Sequence, residues 1–464
     1  MKQISTSVLI SINSIILFIA AAISSTGQSF HAGGYQSIAI CPDSTVATWG
    51  SNDNGQLGNG LSTDSSVPIS LNSITNVIAV SSGYSYYLAL TESGEVWSWG
   101  TNQNGELGNN SNTNSNTPVQ INGLSNITDI AGGFNQSIAL KSDGTVWVWG
   151  NGSDGAMGNS TYNSWNIPLQ VPNLNDVTDI AGGNNFFVVL KSDSTVWTWG
   201  NNSFGSLGIG SFALNSSVPV QITSLSEIVA IDAGADHGIS LDSEGRVWCW
   251  GYNYAGQLGN GSLADSNVPV QVGNLSGIVG IAAGGNASFA LTSTGTVLAW
   301  GDNFVGQLGN GTAMPYSENP VAVVLLNGVE KIEAGLAHVL ALKSNGTLWA
   351  WGYNSSGQLG IGNTTDGNFP QQVLGLCEPV SDIKENTNSI ELFAYPNPTN
   401  GLTSISSNEI IHSIAVFDYL GHMIFSTNKN SMSAQIDLTE FSSGIYFIKA
   451  TTINEEKSIM VLKD

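Results

Sequence analysis

This chain has very little positive charge. Lys and Arg together number 11 among 464 residues, against 34 Asp and Glu, for a formal net charge of −23. Between Phe30 and Leu376 there are only five basic residues: Lys141, Lys191, Arg246, Lys331 and Lys343. A nucleic-acid binder needs a basic patch to displace the counterions of the phosphates, and this stretch would repel them. Anionic membranes are poor partners for the same reason, and the charge reads as a solvated acidic surface. Charged residues of both signs make up only 10% of the chain, but 41% hydrophobic residues with 13 Trp argue for a packed, strand-rich protein rather than a disordered one.

Long apolar runs are also scarce. The one candidate is Val8 to Ile23, preceded by Lys2, interrupted by Ser11, Asn13 and Ser14, and followed by small residues. A membrane anchor wants about 20 unbroken apolar residues, so residues 1–27 read as a signal peptide, with cleavage expected between Ala22 and Gln28. No other stretch is long enough to span a bilayer. Cysteines number three. Cys249 lies between two Trp and reads as a small strand residue. Cys41 and Cys377 flank the region between them, and whether they are bridged or free depends on how close the fold brings them.

What the chain has in excess is glycine, 55 residues, and a repeat. Seven Trp-Gly doublets begin at Trp49, Trp99, Trp149, Trp199, Trp250, Trp300 and Trp351, in steps of 50 or 51 residues. A fixed period of this size marks an array in which each unit buries its apolar face on its neighbours. Within a unit, apolar clusters of four to five β-rich residues are bounded by Gly, Asp, Asn or Pro, the signature of short strands. Ser142-Asp-Gly144 before Thr145-Val-Trp147 reads as a hairpin turn. About four strands per unit, seven units and no helix signal predict an all-β, seven-bladed β-propeller over residues 28–377. In a closed ring Cys41 and Cys377 would meet at the seam, so a disulfide between them is one expectation.

The recurrent residues have structural explanations. Trp97 and Trp99 alternate with Ser98, which puts both rings on one strand face for packing between blades. Asn52, Asn102, Asn202, Asn253, Asn303 and Asn354 recur three residues after the Trp and are expected to bond a local turn. A residue present six or seven times around a ring cannot be a unique catalyst. No catalytic residue, metal ligand or cofactor is therefore assigned.

The motif Trp-Gly-x-Asn-x-x-Gly-Gln-Leu-Gly, as at Trp250 to Gly259, resembles the regulator of chromosome condensation repeat, and so does the Ala-Gly-x-x-His-x-x-Ala-Leu strand ending at Leu342. The resemblance covers Phe30 to Leu376 and implies a seven-bladed propeller. Kelch repeats share the period, but they do not explain Gly-Gln-Leu-Gly. The family's usual His survives as His237 and His338, while Gln36, Tyr86, Gln136, Phe186 and Ala287 fill the equivalent places. One branch of the family is a nucleotide exchange factor with an inserted wedge, for which the even repeats leave no room. Another is a secreted inhibitor of β-lactamase, whose contacts do not transfer position by position.

After Cys377 the repeat stops. A polar linker is expected over 378–389, then a small antiparallel β-sandwich over 390–464, from the period-two runs at Ser413–Phe417, Gln435–Leu438 and Gly444–Ala450. Its Tyr395-Pro-Asn-Pro opening and Gly444-Ile-Tyr-Phe-Ile-Lys run resemble the type A sorting domain of type IX secretion. That resemblance implies export through the periplasm to the outer cell surface or the medium, with the secretion machinery as a partner.

The functional expectation is a non-enzymatic, monomeric binding module for a protein or glycan, using one loop rim. Tyr35, Tyr84, Tyr86, Phe134 and Phe186, with Asp236, fall in or beside the Ala-Gly loops and are the candidate binding residues. A second candidate rim is Phe204, Tyr252, Tyr254, Phe304 and Tyr353, after the Trp-Gly doublets. Two rival expectations remain: a structural or adhesin spacer, and a glycan-active enzyme, which would need carboxylates paired in space.

Overall fold

The computed structural model describes residues 29–212, 215–273, 275–312, 314–377, 392–418, 422–452 and 456–464. The expected signal peptide and linker lie outside the described residues. The chain divides into two compact units between Pro379 and Val380.

The first unit is a seven-bladed β-propeller. Blade 1 consists of β1 (Phe30–Ala32), β2 (Gln36–Ile40), β3 (Val46–Gly50) and β4 (Ser65–Leu71), paired in that order as an antiparallel meander. Six further four-stranded sheets repeat the plan at 77–120, 127–170, 177–221, 228–271, 278–322 and 329–372. The first strand of each blade lies innermost, and those of blades 7 and 1 touch, closing the circle. Every blade is built from contiguous sequence, so no strand is exchanged between the two ends.

Seven of the eight buried apolar clusters fall at the seven blade junctions. Each centres on the second Trp of a repeat. Trp97 and Trp99 share the cluster between blades 1 and 2, as their alternation requires. The indole N–H of Trp99 donates to the Gln56 carbonyl of the preceding blade at 2.9 Å, and Trp149 reaches Glu106 at 2.7 Å. Trp49 of blade 1 reaches Gln358 of blade 7 at 2.8 Å, making the same bond across the closure.

The second glycine of Gly-Gln-Leu-Gly lies under this indole. A Cβ on Gly108 would sit 2.8 Å from Trp149 Nε1, and its φ of +64° is a left-handed conformation. The Asn that recurs three residues after the Trp in six of the seven blades behaves as expected. Asn102 Oδ1 accepts from Leu107 N at 2.9 Å, while its Nδ2 donates to the Ser111 and Thr113 carbonyls.

Cys41 and Cys377 are joined in a disulfide, with Cα atoms 5.2 Å apart across a sequence separation of 336. Cys249 is buried and unbridged, and burial raises its thiol pKa far above the ordinary value.

The second unit is a five-stranded antiparallel sheet. Its long strands Leu402–Phe417 and Met423–Asp437 pair with register shifts, and both halves contribute to one core around Ile405, Ile414, Ile436 and Ile448.

Two outcomes follow. Gly108→Ala should destabilise the wheel by about 1–3 kcal/mol, because neither the indole nor the turn backbone can give way; chemical denaturation measures it. Cys41→Ser should lower stability by up to about 5 kcal/mol and abolish the sensitivity of the melting temperature to reductant.

Candidate binding face

The hairpin register places two sets of loops on one face. Gln36 opens β2 and pairs with Gly50, which ends β3. The Ala-Gly loop before β2 and the Trp-Gly loop after β3 therefore leave the blade at the same end. The Ser51 N–H bonds the Tyr35 carbonyl at 2.8 Å, and the Tyr252 N–H bonds Asp236 at 2.9 Å. The two rims expected from the sequence are a single rim.

Around the hub these loops are tied to one another by backbone. Phe134 N–H bonds the Gly183 carbonyl at 3.1 Å, Asn184 bonds Ala235 at 2.7 Å, Ala235 bonds Gly285 at 3.0 Å, and Leu336 bonds Gly33 at 3.0 Å. Side chains carried on this belt have a rigid base. Tyr353, Tyr35, Tyr84 and Phe134 form a continuous run of rings, with centroid separations of 5.6, 5.6 and 4.7 Å, the last pair stacked. A hydrogen bond to Tyr84, together with burial, pushes the Tyr35 hydroxyl up to about 12. Farther around the face, Phe204 packs tilted on Tyr252 at 4.5 Å, and Tyr252 stacks on Tyr254 at 6.3 Å. Phe304 is 83% exposed and Tyr254 75%.

Of the residues expected to bind, Tyr35, Tyr84, Phe134 and Asp236 lie half-buried on this face. Tyr86 and Phe186 do not. They are 1% and 0% exposed, turned into the blade junctions because each opens the second strand of its blade rather than the loop before it. Tyr86 bonds the Gln136 carbonyl at 2.6 Å and Ser137 at 3.0 Å. His237 and His338 occupy the same position and bond Ser288 at 2.9 Å and Ser37 at 2.8 Å. Burial lowers their pKa values to about 4 and about 3. Side chains at this position are buried, and most of them reach across to the next blade.

Outside the hub, the basic residues of the propeller lie on one face, while carboxylates occur on both. The aromatic face carries Asp53, Asp64, Asp154, Asp236, Asp265 and Asp366 and, among the described residues, neither Lys nor Arg. The turns of the opposite face contain no aromatic residue, and Lys141, Lys191, Arg246 and Lys343 lie on that side. Lys141, Lys191 and Lys343 each stand over a Trp ring of their own blade at 5.2–5.6 Å.

The hub was not among the sites expected from the sequence. A cavity of about 380 Å³ runs along the innermost strands and opens beside Tyr84 and Phe134. Two tiers of side chains line it. Asp129, Asp179 and Lys331 take one register position in their blades, while His31, Asp232 and Glu333 take another. Burial lifts the Asp129 carboxyl to about 6. Burial and then the Asp129 charge lift Asp179 to about 7, and burial and then Glu333 lift Asp232 to about 7. Glu333 bonds Lys331 at 3.0 Å and holds its pKa up. The available signal was an Asp inside an apolar first-strand run, as in Ile127-Thr-Asp-Ile130. Simple alternation misplaces it, because the pairing skips Thr128 and a bulge turns Asp129 toward the axis. No group of three or more His, Cys, Asp or Glu among the described residues is arranged to hold a metal.

Blades of this design, tied by these turns, define a class of repeat propeller. The match to the RCC1-like domain covers residues 19–324 and 125–391, and the chain belongs to that family. Residues 394–463 match the secretion system C-terminal sorting domain, which marks the chain for export to the cell surface or beyond. The plant ultraviolet-B receptor UVR8 of Arabidopsis thaliana is 31% identical over 34% of this chain and 26% of its own length. The probable human E3 ubiquitin-protein ligase HERC6 is 32% identical over 42% of this chain and 20% of its own length. The matched stretches thus span about a quarter or less of these relatives. Among solved structures, yeast RCC1 (Prp20) bound to Kap60 is similar with a TM-score of 0.65 and 22% identity, over 74% of this chain and 85% of that one. Human WBSCR16 gives 0.61 and 24%, over 68% and 87%. These two likenesses establish the shared fold. No helix among the described residues is long and apolar enough to cross a membrane.

The raised hub acids give a pH signature. A carboxyl with a folded pKa above its unfolded value binds extra protons in the native state, so its ionisation destabilises the fold as pH rises toward and past about 7. Asp179→Asn should therefore raise the melting temperature at pH 8 by roughly 2–4 °C and change it little at pH 4. The buried histidines act oppositely. Their pKa is lowered, so the stability they contribute is present above about pH 6.5 and falls away as pH drops toward about 4.

Proposed function

We propose that this chain is an exported, non-enzymatic binding module that recognises a protein or glycan through the aromatic face of its propeller. Its C-terminal domain addresses it to the type IX secretion machinery. The observation that carries this reading is the ring run Tyr353–Tyr35–Tyr84–Phe134, fixed on a hydrogen-bonded belt at the channel mouth. Aromatic side chains held rigidly in a row offer large contact area at small entropic cost, which is how recognition surfaces gain affinity. The recurrent residues of the blades are all engaged in holding the wheel, whereas the rim side chains vary from blade to blade. Nucleic acid remains an unsuitable partner for a face without cations, and a monomer is the expected state.

A binding screen of the purified protein against surface glycans and co-resident proteins tests the reading, repeated with Tyr84→Ala and Phe134→Ala. Each variant is expected to weaken the recovered interaction by roughly 10-fold or more while leaving the fold intact. Unchanged affinity in both would favour the spacer reading and reject this face as the contact.

The enzyme reading gains one observation: the hub gathers Asp129, Asp179 and Asp232 with pKa values near neutrality. Glycan hydrolysis that survives Tyr84→Ala and is lost in Asp179→Asn would move the function from the rim to the hub.

A further inference from the structure

Three of the charges on the aromatic face are not needed for the fold. In each of several blades, one loop side chain accepts a hydrogen bond from the backbone N–H of the recurrent Asn. Asp64 does this for Asn52 at 2.8 Å, Asp265 for Asn253 at 2.8 Å, and Asp366 for Asn354 at 2.7 Å. In blades 2 and 4 the same bond is made by neutral side chains, Asn114 to Asn102 and Asn215 to Asn202, both at 2.9 Å. An amide oxygen serves as well as a carboxylate oxygen here, so three negative charges exceed what the turns require.

The cations of the wheel cannot neutralise them. Lys141, Lys191 and Lys343 stand over Trp rings toward the opposite face. Arg246 is held by Asp242 at 2.7 Å and Glu244 at 2.9 Å, and Lys331 lies in the hub on Glu333. The aromatic face thus combines open rings with carboxylates that have no cationic partner among the described residues. Tyr252 shows the combination locally: it lies between Phe204, tilted against it, and Tyr254, stacked on it, and the nearby Asp265 and Asp236, after burial, raise its pKa. Rings beside carboxylates attract guanidinium and ammonium groups through both the ring quadrupole and Coulomb attraction. The protein applies the ring half of this chemistry internally, wherever its own lysines sit on tryptophans.

We propose that the aromatic face receives a Lys- and Arg-rich segment of a partner protein, with cationic side chains seated against Tyr252, Tyr254 and the surrounding carboxylates. This rests on the reading of that face as the binding face and narrows its ligand to a basic polypeptide. Attraction of this kind also speeds encounter and is weakened by salt.

The test uses the full chain and a synthetic lysine–arginine peptide, with a glutamine-substituted peptide of equal length as control, titrated by calorimetry at about 50 mM and about 500 mM salt. Two matched triple variants remove equal charge from the two faces. Asp64→Asn with Asp265→Asn and Asp366→Asn neutralises the aromatic face. Asp43→Asn with Asp143→Asn and Asp193→Asn neutralises the other, where Asn345 already holds Thr347 as those Asp residues hold Thr45, Thr145 and Thr195. Both should fold, since each new Asn has a counterpart elsewhere in the wheel; thermal melts confirm it.

The expected result is salt-sensitive binding of the basic peptide alone. It should be weakened about 10-fold by the aromatic-face triple and by Tyr254→Ala, and less than about two-fold by the opposite-face triple. Equal weakening by both triples, or no preference for the basic peptide, overturns the proposal. A glycan or neutral protein that loses affinity in Tyr84→Ala but binds the aromatic-face triple as it binds the wild type also overturns it, while leaving the binding face itself in place.

Discussion

The wheel depends on one contact made seven times: an indole N–H reaching back to a carbonyl in the preceding blade's Gly-Gln-Leu-Gly turn or its equivalent. The ring bearing that N–H is fully buried in every blade. Removing such a ring from a packed core costs on the order of 3–5 kcal/mol, and here the ring also satisfies the turn's backbone. The contact dictates the glycines around it. Gly108 leaves space for Trp149, and Gly150, at φ +103°, lets the chain turn where a Cβ would strike the Asn135 carbonyl. Glycine abundance in this chain therefore follows from tryptophan placement rather than from flexible loops.

Because the contact is periodic, the architecture was legible in the residues. The spacing of the doublets counts the blades, and the turn residues count the strands. The Asn that recurs three residues after the Trp in six blades makes the bonds its position suggested. What the sequence concealed was direction. Tyr86 and Phe186 look like members of an aromatic loop, yet each is the first residue of a strand and points into a junction. The Ala-Gly and Trp-Gly loops look like opposite rims until Gln36 is seen paired with Gly50. Asp129 and Asp179 sit in runs read as buried strand, and only the bulge beside each reveals that they face the axis. Pairing register carries all three facts, and register is a property of two strands together.

The hub and the rim show how the disc separates support from display. At the hub, carboxylates crowd a narrow channel, so each raises the cost of ionising another. Lys331 offsets only part of that, and burial lowers the pKa of His31 beside it. At the rim, Asp53, Asp64, Asp265 and Asp366 lie exposed on loops, whereas Asp236 is half-buried and burial lifts its carboxyl to about 6. Burial, rather than acidity itself, sets an acidic side chain against the fold. The histidines of the junctions add an opposite dependence on pH, so two buried populations of opposite sign shape how stability changes with pH.

The seam has a further consequence. Six junctions join blades adjacent in the chain, where the Trp and its carbonyl are 43 or 44 residues apart, as for Trp99 and Trp250. The seventh joins Trp49 to Gln358 across 309 residues. Connectivity brings the partners of the six together almost automatically and does little for the seventh, whose closure entropy grows with the full circumference. With no strand shared between the first blade and the last, that junction would be the weakest link of a non-covalent ring. The single cross-link of the wheel lies there, between Cys41 and Cys377, so a covalent clasp stands where chain continuity gives the least help.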